Sequence, residues 1–374
     1  MCVKGKIVGL IVAAGYSSRM GAFKPLLPLG SKTVIETSID SLRQGGVEDI
    51  RVIIGHQAEE LYPVLNRLNI RVIENSRYAE GMFSSVVAGL ENFSCEAEAF
   101  FLLPGDTPLI RRRSIKELVR AYRKTNASVV YPVFNAQRGH PPLIGEKCFK
   151  NILQGSRSGS LRDILDGFAA DSVDVSLVDQ GVLLDMDTID DYKKLVTFHA
   201  LRDIPTYDEC LAMLHKHQIN GKVALHGKVV ANVGRRMVEL LNRVGMNLCA
   251  DLVVAGGLIH DLAKGKPNHS KRGERLVTCL GFPALSGIVA SHMDMEFAAD
   301  CEVNEAAIVF LADKLVQGDR LVTLAERFGP ALQKFAGSPE VIDSVLRKMR
   351  TAEAIRDRIL YLLKMSSFDE MVLQ

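Results

Sequence analysis

No charge of one sign prevails in this sequence. Lys and Arg total 46 against 44 Asp and Glu, a net charge of +2 over 374 residues, so nothing electrostatic points to a nucleic acid or an anionic membrane surface. Small anions are the expected partners. Cysteine is scarce and unpatterned: Cys2, Cys95, Cys148, Cys210, Cys249, Cys279 and Cys301 are odd in number and never spaced CxxC, which argues against a disulfide framework or a zinc ribbon. A reducing, cytoplasmic setting is expected. No run approaches the ~20 apolar residues of a membrane span, and internal repeats and low-complexity tracts are lacking as well. The opening MCVKGKIVGLIVAAG has the outline of a signal peptide. Residues 7–14 ending on Gly15 also describe a buried first strand that enters a phosphate-binding turn, and that reading is adopted.

What is present is a change of pattern partway along the chain. To about residue 195, strand-like runs (IVGLIVAA, DIRVIIG, IRVIEN, AFFLLPGD) alternate with helical stretches at 34–44, 59–68 and 84–91. That alternation predicts an α/β doubly wound, Rossmann-like sheet with its active site at the strands' carboxyl ends. Residues 128–132 read as another strand and 183–187 as a short late one, before a helix near Ile189. After Tyr192 helical periods take over, as in Val230, Val233, Met237, Leu240, Leu241 and Val244. The expected organisation is an α/β domain over 1–197, a linker over 198–215 and an all-α domain over 216–374. The linker is placed where Pro205 interrupts the chain and periodicity is weak.

The segment IVAAGYSSRMGAFK follows the first strand with Gly15, Ser17, Ser18, Arg19, Gly21 and Lys24. A glycine-bearing turn presents backbone N–H groups to a phosphate chain, and Arg19 and Lys24 neutralise its charge. It is neither GxGxxG nor GxxxxGK[ST], so dinucleotide binding and P-loop hydrolysis lose their usual warrant. The run FFLLPGDTPLI delivers Asp106 at a strand's carboxyl end, where a carboxylate can hold a Mg²⁺ that bridges NTP phosphates. Asp187 in LLDMDTIDDY, with Asp185 beside it, can complete that site. Asp190 and Asp191 read instead as acids complementing the dipole of a helix's first turn.

In family order, IVAAGYSSRMGAFKPLLPLGSKTVIE, RYAEGMFSSVVAGL, LLPGDTPLI, GHPPLIG, QGSRSGSLRDIL and DMDTIDDY resemble the MobA/MocA-like nucleotidyltransferases over residues 5–195. The Ala13-Ala14-Gly15 form of the loop resembles the molybdenum cofactor cytidylyltransferases, which use CTP. The resemblance implies that Ala13, Ala14, Gly15, Gly81 and Ser85 contact the nucleotide, with Ser17 in the same loop. It also implies that Arg19 and Lys24 bind phosphates and that Asp106 with Asp187 holds Mg²⁺. His140 in RGHPPLIG is a candidate for the pterin side of the pocket, or a turn residue. The implied partners are CTP or another NTP, molybdopterin as phosphorylated acceptor, and a molybdenum hydroxylase apoenzyme as recipient.

Six of nine histidines lie after residue 200. Imidazoles and carboxylates on apolar helices are costly to desolvate unless paired or ligated. The order His226, His260-Asp261, Asp313 resembles the HD superfamily of metal-dependent phosphohydrolases over about 220–330. The resemblance implies that these four ligate one metal and that His269 and His292 add a second, with Asp261 bridging. Such a mixed set suits Mn²⁺, Fe or Zn²⁺ better than a hard-oxygen cage. Lys264 resembles the phosphate-contacting lysine of HDxxK members, or is a helix C-terminal cation favoured by the dipole. His215 and His217 are expected to be exposed linker residues. The expected activity is CMP transfer from CTP to molybdopterin joined to a phosphohydrolase. The alternative is a sugar- or polyol-phosphate cytidylyltransferase with a regulatory HD module.

Overall fold

The structure, a computed structural model, describes residues 5–16, 20–93, 96–155, 160–298 and 301–367. The chain divides into two compact units, Met1–Leu201 and Arg202–Gln374.

In the first unit the elements run β1 (Lys6–Val12), β2 (Pro28–Leu29), β3 (Lys32–Thr33), α1 (Val34–Gln44), β4 (Asp49–Ile54), α2 (Ala58–Arg67), β5 (Arg71–Glu74), α3 (Met82–Glu91) and β6 (Ala97–Pro104). They continue with α4 (Arg112–Thr125), β7 (Val129–Phe134), β8 (Gln137–Arg138), β9 (Leu143–Gly145), α5 (Phe149–Gly155), α6 (Leu161–Asp166), β10 (Ser172–Ser176) and α7 (Ile189–Ala200). The main sheet has the order β10-β7-β9-β6-β1-β4-β5, with β8 paired to β7. Its strands are parallel apart from β8 and from β9, which runs antiparallel to both β6 and β7.

Strand β1 lies in the sheet's interior because its side chains are apolar on both faces. Val8 and Leu10 pack with Val86, Val87 and Leu90 of α3 and with Ile152, Leu161 and Leu165 of α5 and α6. Gly9 points the other way, where an added Cβ would stand 2.8 Å from Leu42 Cδ1 of α1. Helix starts are chemically marked: Thr33 with Glu36, Ser160 with Asp163, and Thr188 with Asp191 each form a reciprocal capping box. Such a cap typically stabilises a helix by about 1 kcal/mol. The expected late strand at 183–187 is not one. A 3₁₀ turn, Gln180–Leu183, occupies its start, and the edge position beside β7 belongs to β10, whose sequence SVDVS lacks a long apolar run.

The second unit is built from α8 (Tyr207–Lys216), α9 (Gly221–Arg243), α10 (Ala250–Ile259), α11 (His269–Leu280), α12 (Ser286–Ser291), α13 (Glu305–Lys314), α14 (Leu324–Lys334) and α15 (Pro339–Leu363). One short antiparallel ribbon, β11 (Val316–Gln317) with β12 (Arg320–Leu321), interrupts the helices. The stretch read as a linker holds the end of α7 and most of α8. Thr206 and Glu209 cap α8 reciprocally, and its Cys210 and Met213 are fully buried. His215 is exposed and His217 half-buried. Of the six apolar positions predicted for α9, Val230, Met237, Leu240 and Leu241 are buried, whereas Val244 is the exposed residue after the last turn.

Helices α9 and α10 cross with almost no side chain between them. A Cβ on Gly257 would fall 2.6 Å from Ala231 Cα, and one on Gly227 would fall 2.6 Å from Leu258 O. Both obstacles are backbone, so neither can swing aside. The approach sets His226, next to Gly227, against His260, at the end of α10; their ring centroids are 5.4 Å apart. Gly257→Ala is therefore expected to cost about 1–3 kcal/mol through overpacking. Gly287→Ala, a helical site whose Cβ would meet nothing within 4 Å, should be neutral or slightly stabilising. Urea unfolding of the two variants beside the unaltered chain checks this, and equal midpoints for all three would remove the close-crossing argument.

Candidate functional site

In the first unit the loops after β1 and β6 lie side by side at the carboxyl ends of two paired strands. Gly105 N donates to Val12 O at 2.9 Å, Ala13 N to Ile53 O at 2.8 Å, and His56 N to Ala14 O at 3.2 Å. These bonds hold Ala13, Ala14 and Gly15 open along a cavity of about 330 Å³. Lys24, Gly81, Ser85 and Asp106 line the same cavity. Gly81 has φ +100, a conformation that favours glycine, and it starts α3 directly beside the cavity. Ser85 is buried and accepts a 3.0 Å bond from Asn75 Nδ2, which fixes its hydroxyl.

Lys24 Nζ stands 3.1 Å from Asp106 Oδ2 and 3.0 Å from Asp187 Oδ1, so one ammonium joins two carboxylates that come from distant parts of the chain. Burial, with the Asp106 and Asp187 carboxylates nearby, raises the Asp185 pKa above the usual carboxylate range. Burial lowers the His140 pKa, against the opposing pull of Asp106 and Asp185. Its Nδ1 is buried without a hydrogen-bond partner, but His140 is not among the residues lining the cavity. Ser17 and Arg19 lie outside the described residues. Asp191 closes the α7 capping box and Asp190 pairs with Lys193, as their helix-dipole reading requires. Sequence reasoning missed the aromatic wall: Tyr16 and Tyr78 line the cavity, and Tyr16 packs on His56 and Tyr78 with centroids 4.9 and 5.5 Å away. Their only signal was Tyr16's place after Gly15 and Tyr78's place within the RYAEGM segment.

The second unit gathers all six residues read as ligands of the HD metal centre. His226, His260 and Asp261 form one group whose ligand atoms lie within 4.8 Å of one another; Asp261, His269 and His292 form another. Asp261 belongs to both. Its Oδ2 faces His260 Nε2 at 3.5 Å and Lys264 Nζ at 2.5 Å, while its Oδ1 faces His292 and His269 at 3.6 and 3.7 Å. Asp313 Oδ1 completes the first group, 3.0 Å from His226 Nε2 and 3.5 Å from His260 Nε2. Outer bonds set the ring orientations: Nδ1 of His226, His260 and His292 lies 2.7–3.0 Å from the carbonyls of Gly318, Gly257 and Val289. For His260 and His292 a carbonyl there favours the proton on Nδ1 and leaves Nε2 as a lone-pair donor pointing inward, whereas His226 Nε2 is hydrogen-bonded to Asp313 Oδ1.

Nε2 of His260, His269 and His292 is buried without a hydrogen-bond partner. Three imidazole acceptors beside two carboxylates, most at distances longer than good hydrogen bonds, could hold a divalent metal ion, and their mixed nitrogen and oxygen chemistry is compatible with Mn²⁺, Fe or Zn²⁺. Burial raises the Asp261 pKa, but His292, His260 and Lys264 outweigh it and hold the carboxyl well below its usual range. Asp313 is likewise held well below, its burial opposed by Lys314, His226 and His260. Burial lowers the His260 pKa, yet Asp313 and Asp261 raise it overall; His269 is lowered by burial and by the nearby His292. Lys264 rests on Asp261 and is half exposed, so the structure places it at the rim of the cluster. Two participants went unread: Gly318, in the turn of the β11–β12 ribbon, and Lys314, which follows Asp313.

Residues 9–174 match the MobA-like NTP transferase domain, and residues 223–317 match the HD domain. The molybdenum cofactor cytidylyltransferase of Escherichia coli (strain K12) is 32% identical over 184 residues, which are 49% of this chain and 92% of that protein. Bifunctional protein GlmU of Symbiobacterium thermophilum is 28% identical over 157 residues, covering 41% of this chain and 32% of that one. Among solved structures, the molybdopterin-guanine dinucleotide biosynthesis protein A from Archaeoglobus fulgidus is 14% identical, with a TM-score of 0.43 over 52% of this chain and 98% of its own. The chain belongs to the MobA-like NTP transferases, and it carries an HD domain after the transferase domain.

Proposed function

We propose that the first unit transfers CMP from CTP to the phosphate of molybdopterin, and that the second is a metal-dependent phosphohydrolase. The cavity at the ends of β1 and β6 carries the first reading, because Ala13, Ala14, Gly15, Lys24, Gly81, Ser85 and Asp106 all line it. The name of the Escherichia coli relative supports the choice of nucleotide and acceptor. In the transfer, an acceptor phosphate oxygen forms a bond to the α-phosphorus while the bond to the bridging oxygen breaks, and pyrophosphate leaves with the electron pair. The acceptor is already ionised at neutral pH, so no protein base is needed. The backbone N–H groups of the first loop and the Lys24 ammonium stabilise charge on the α-phosphate and the departing pyrophosphate. Asp106 and Asp187 would hold Mg²⁺, which supplies charge compensation between the phosphates when bound. Lys24 then exchanges its carboxylate partners for phosphate.

The second reading rests on the inward-facing, unpartnered Nε2 atoms around Asp261. Ions held by the two groups would supply Lewis-acid activation of a phosphoester. The chain's own part is to orient His226, His260 and His292 through backbone carbonyls and to offer Lys264, at the rim, to a substrate phosphate.

Asp106→Ala should leave the first unit folded, since it removes no core volume, and lower transfer at least ~100-fold, the scale of losing a main electrostatic stabiliser. Pyrophosphate release with each NTP, Mg²⁺ and molybdopterin measures it, and CTP should outcompete GTP. Near-normal release by the variant would move the Mg²⁺ site elsewhere; faster use of GTP would reject the assigned base.

Changing His260 and Asp261 together to Ala removes one imidazole and the shared carboxylate, so bound transition metal and phosphoester hydrolysis should both fall sharply. Every residue assigned to transfer lies in the first unit, and transfer should persist. Elemental analysis and both assays on the double variant check this. Unchanged metal content would end the six-ligand assignment, and loss of transfer in a folded variant would end the modular reading.

A further inference from the structure

Lys314 is buried, with 5% of its surface exposed, although it ends a helix from which a lysine stem easily reaches water. It follows Asp313 directly, and neighbours in a helix do not normally face one another. Here the stem turns back across the ring of Phe310, one turn earlier, with Nζ 4.6 Å from the ring centroid. From there Nζ donates to Asp313 Oδ2 at 2.6 Å and to the backbone carbonyl of His292 at 2.9 Å. The other oxygen of Asp313 is the one beside His226 and His260. Burying an ammonium is costly unless it is paired and hydrogen-bonded, and both of these bonds go to residues of the cluster. His292 directly follows α12 and belongs to the second group; Asp313, in the last turn of α13, completes the first.

We propose that Lys314 is a positioning residue of the metal centre, fixing Asp313 as a ligand through Oδ1 alone and tying it to the His292 segment. This rests on the reading of the cluster as a metal site. A carboxylate with one oxygen held by a buried ammonium cannot turn to chelate an ion with both. The two groups thereby keep a fixed separation, set by one side chain that belongs to neither ligand group.

The test uses the full chain stripped of metal and titrated with Co²⁺ alone, in competition with a chelating indicator, while the visible spectrum of the bound ion is recorded. Lys314→Met keeps the stem and removes the charge. It should weaken Co²⁺ binding about 10- to 100-fold, the usual cost of losing an outer-shell partner, and change the spectrum as Asp313 is released. A purely structural lysine would instead lower the unfolding temperature of the metal-free protein and leave affinity and spectrum unaltered; that result overturns the proposal. Absence of Co²⁺ binding by the unaltered chain would overturn the metal reading itself and the proposal with it. If Lys314→Met does not fold, a crystal structure of the unaltered chain with Co²⁺ decides. Asp313 bound through one oxygen, with Lys314 on the other, supports the proposal; two-oxygen coordination or a displaced Lys314 overturns it.

Discussion

The second unit depends on the near-contact of two helix backbones. Gly227 and Gly257 let α9 and α10 approach until Cβ atoms would collide with Leu258 O and Ala231 Cα. A wider crossing, with side chains between the helices, would carry His226 away from His260 and open the first ligand group. The same glycines solve a second problem, because a close crossing leaves backbone carbonyls at hand. Gly257 O accepts from His260 Nδ1, so the residue that permits the approach also orients the ring that the approach delivers. Packing and site geometry are here one constraint.

In the first unit the corresponding constraint is electrostatic. Parallel strands end in a layer where helix N-termini and open amides favour negative charge, yet the sheet places Asp106 there and the segment before α7 brings Asp187 and Asp185. The three acids would repel one another, and burial together with the Asp106 and Asp187 carboxylates raises the Asp185 pKa. Lys24 offsets this by bonding two of them at 3.0–3.1 Å. The arrangement suits a site whose ligand carries both anionic phosphates and a divalent ion, since ammonium and carboxylates each find a new partner at once.

Much of this was legible in the residues, for a physical reason that also explains the gaps. Long buried strands declare themselves by apolar runs, so β1, β4 and β6 were read, and with them the carboxyl-end positions of Gly15 and Asp106. Strands without such a run do not, although the short edge strand β5 was read from IRVIEN. β9 spans three residues, and β10 alternates polar with apolar, and neither has a run to detect. Helix α8 was taken for linker because its buried face is narrow, Cys210, Met213 and Leu214 following a Thr206 cap. The histidine-aspartate set stood out because polar groups on apolar helices demand an explanation. What no pattern could supply was the role of Lys314. A lysine after an aspartate at a helix end looks like an exposed, dipole-favoured cation, and only the turn of its stem over Phe310 takes it inward.

The two units place a lysine on opposite sides of their carboxylates, and this difference governs how each proposed site fills. Lys24 lies between Asp106 and Asp187, in the space an ion shared by both would need, and Asp187 keeps nearly half of its side-chain surface exposed. A cation can enter there only as Lys24 leaves, so nucleotide and ion are expected to assemble that site together. Lys314 lies behind Asp313, on the oxygen turned away from His226 and His260, and both side chains are buried. Lys314 does not stand in the way of an ion reaching Oδ1, although the hydrogen bond from His226 to that oxygen must give way, and the Nε2 atoms of His260, His269 and His292 lack hydrogen-bond partners. On the proposed reading, the transferase site would be assembled by its ligand, whereas most of the HD site would be organised before an ion arrives. The same pairing of ammonium and carboxylate serves both, and only the side from which the lysine approaches separates a gate from a brace.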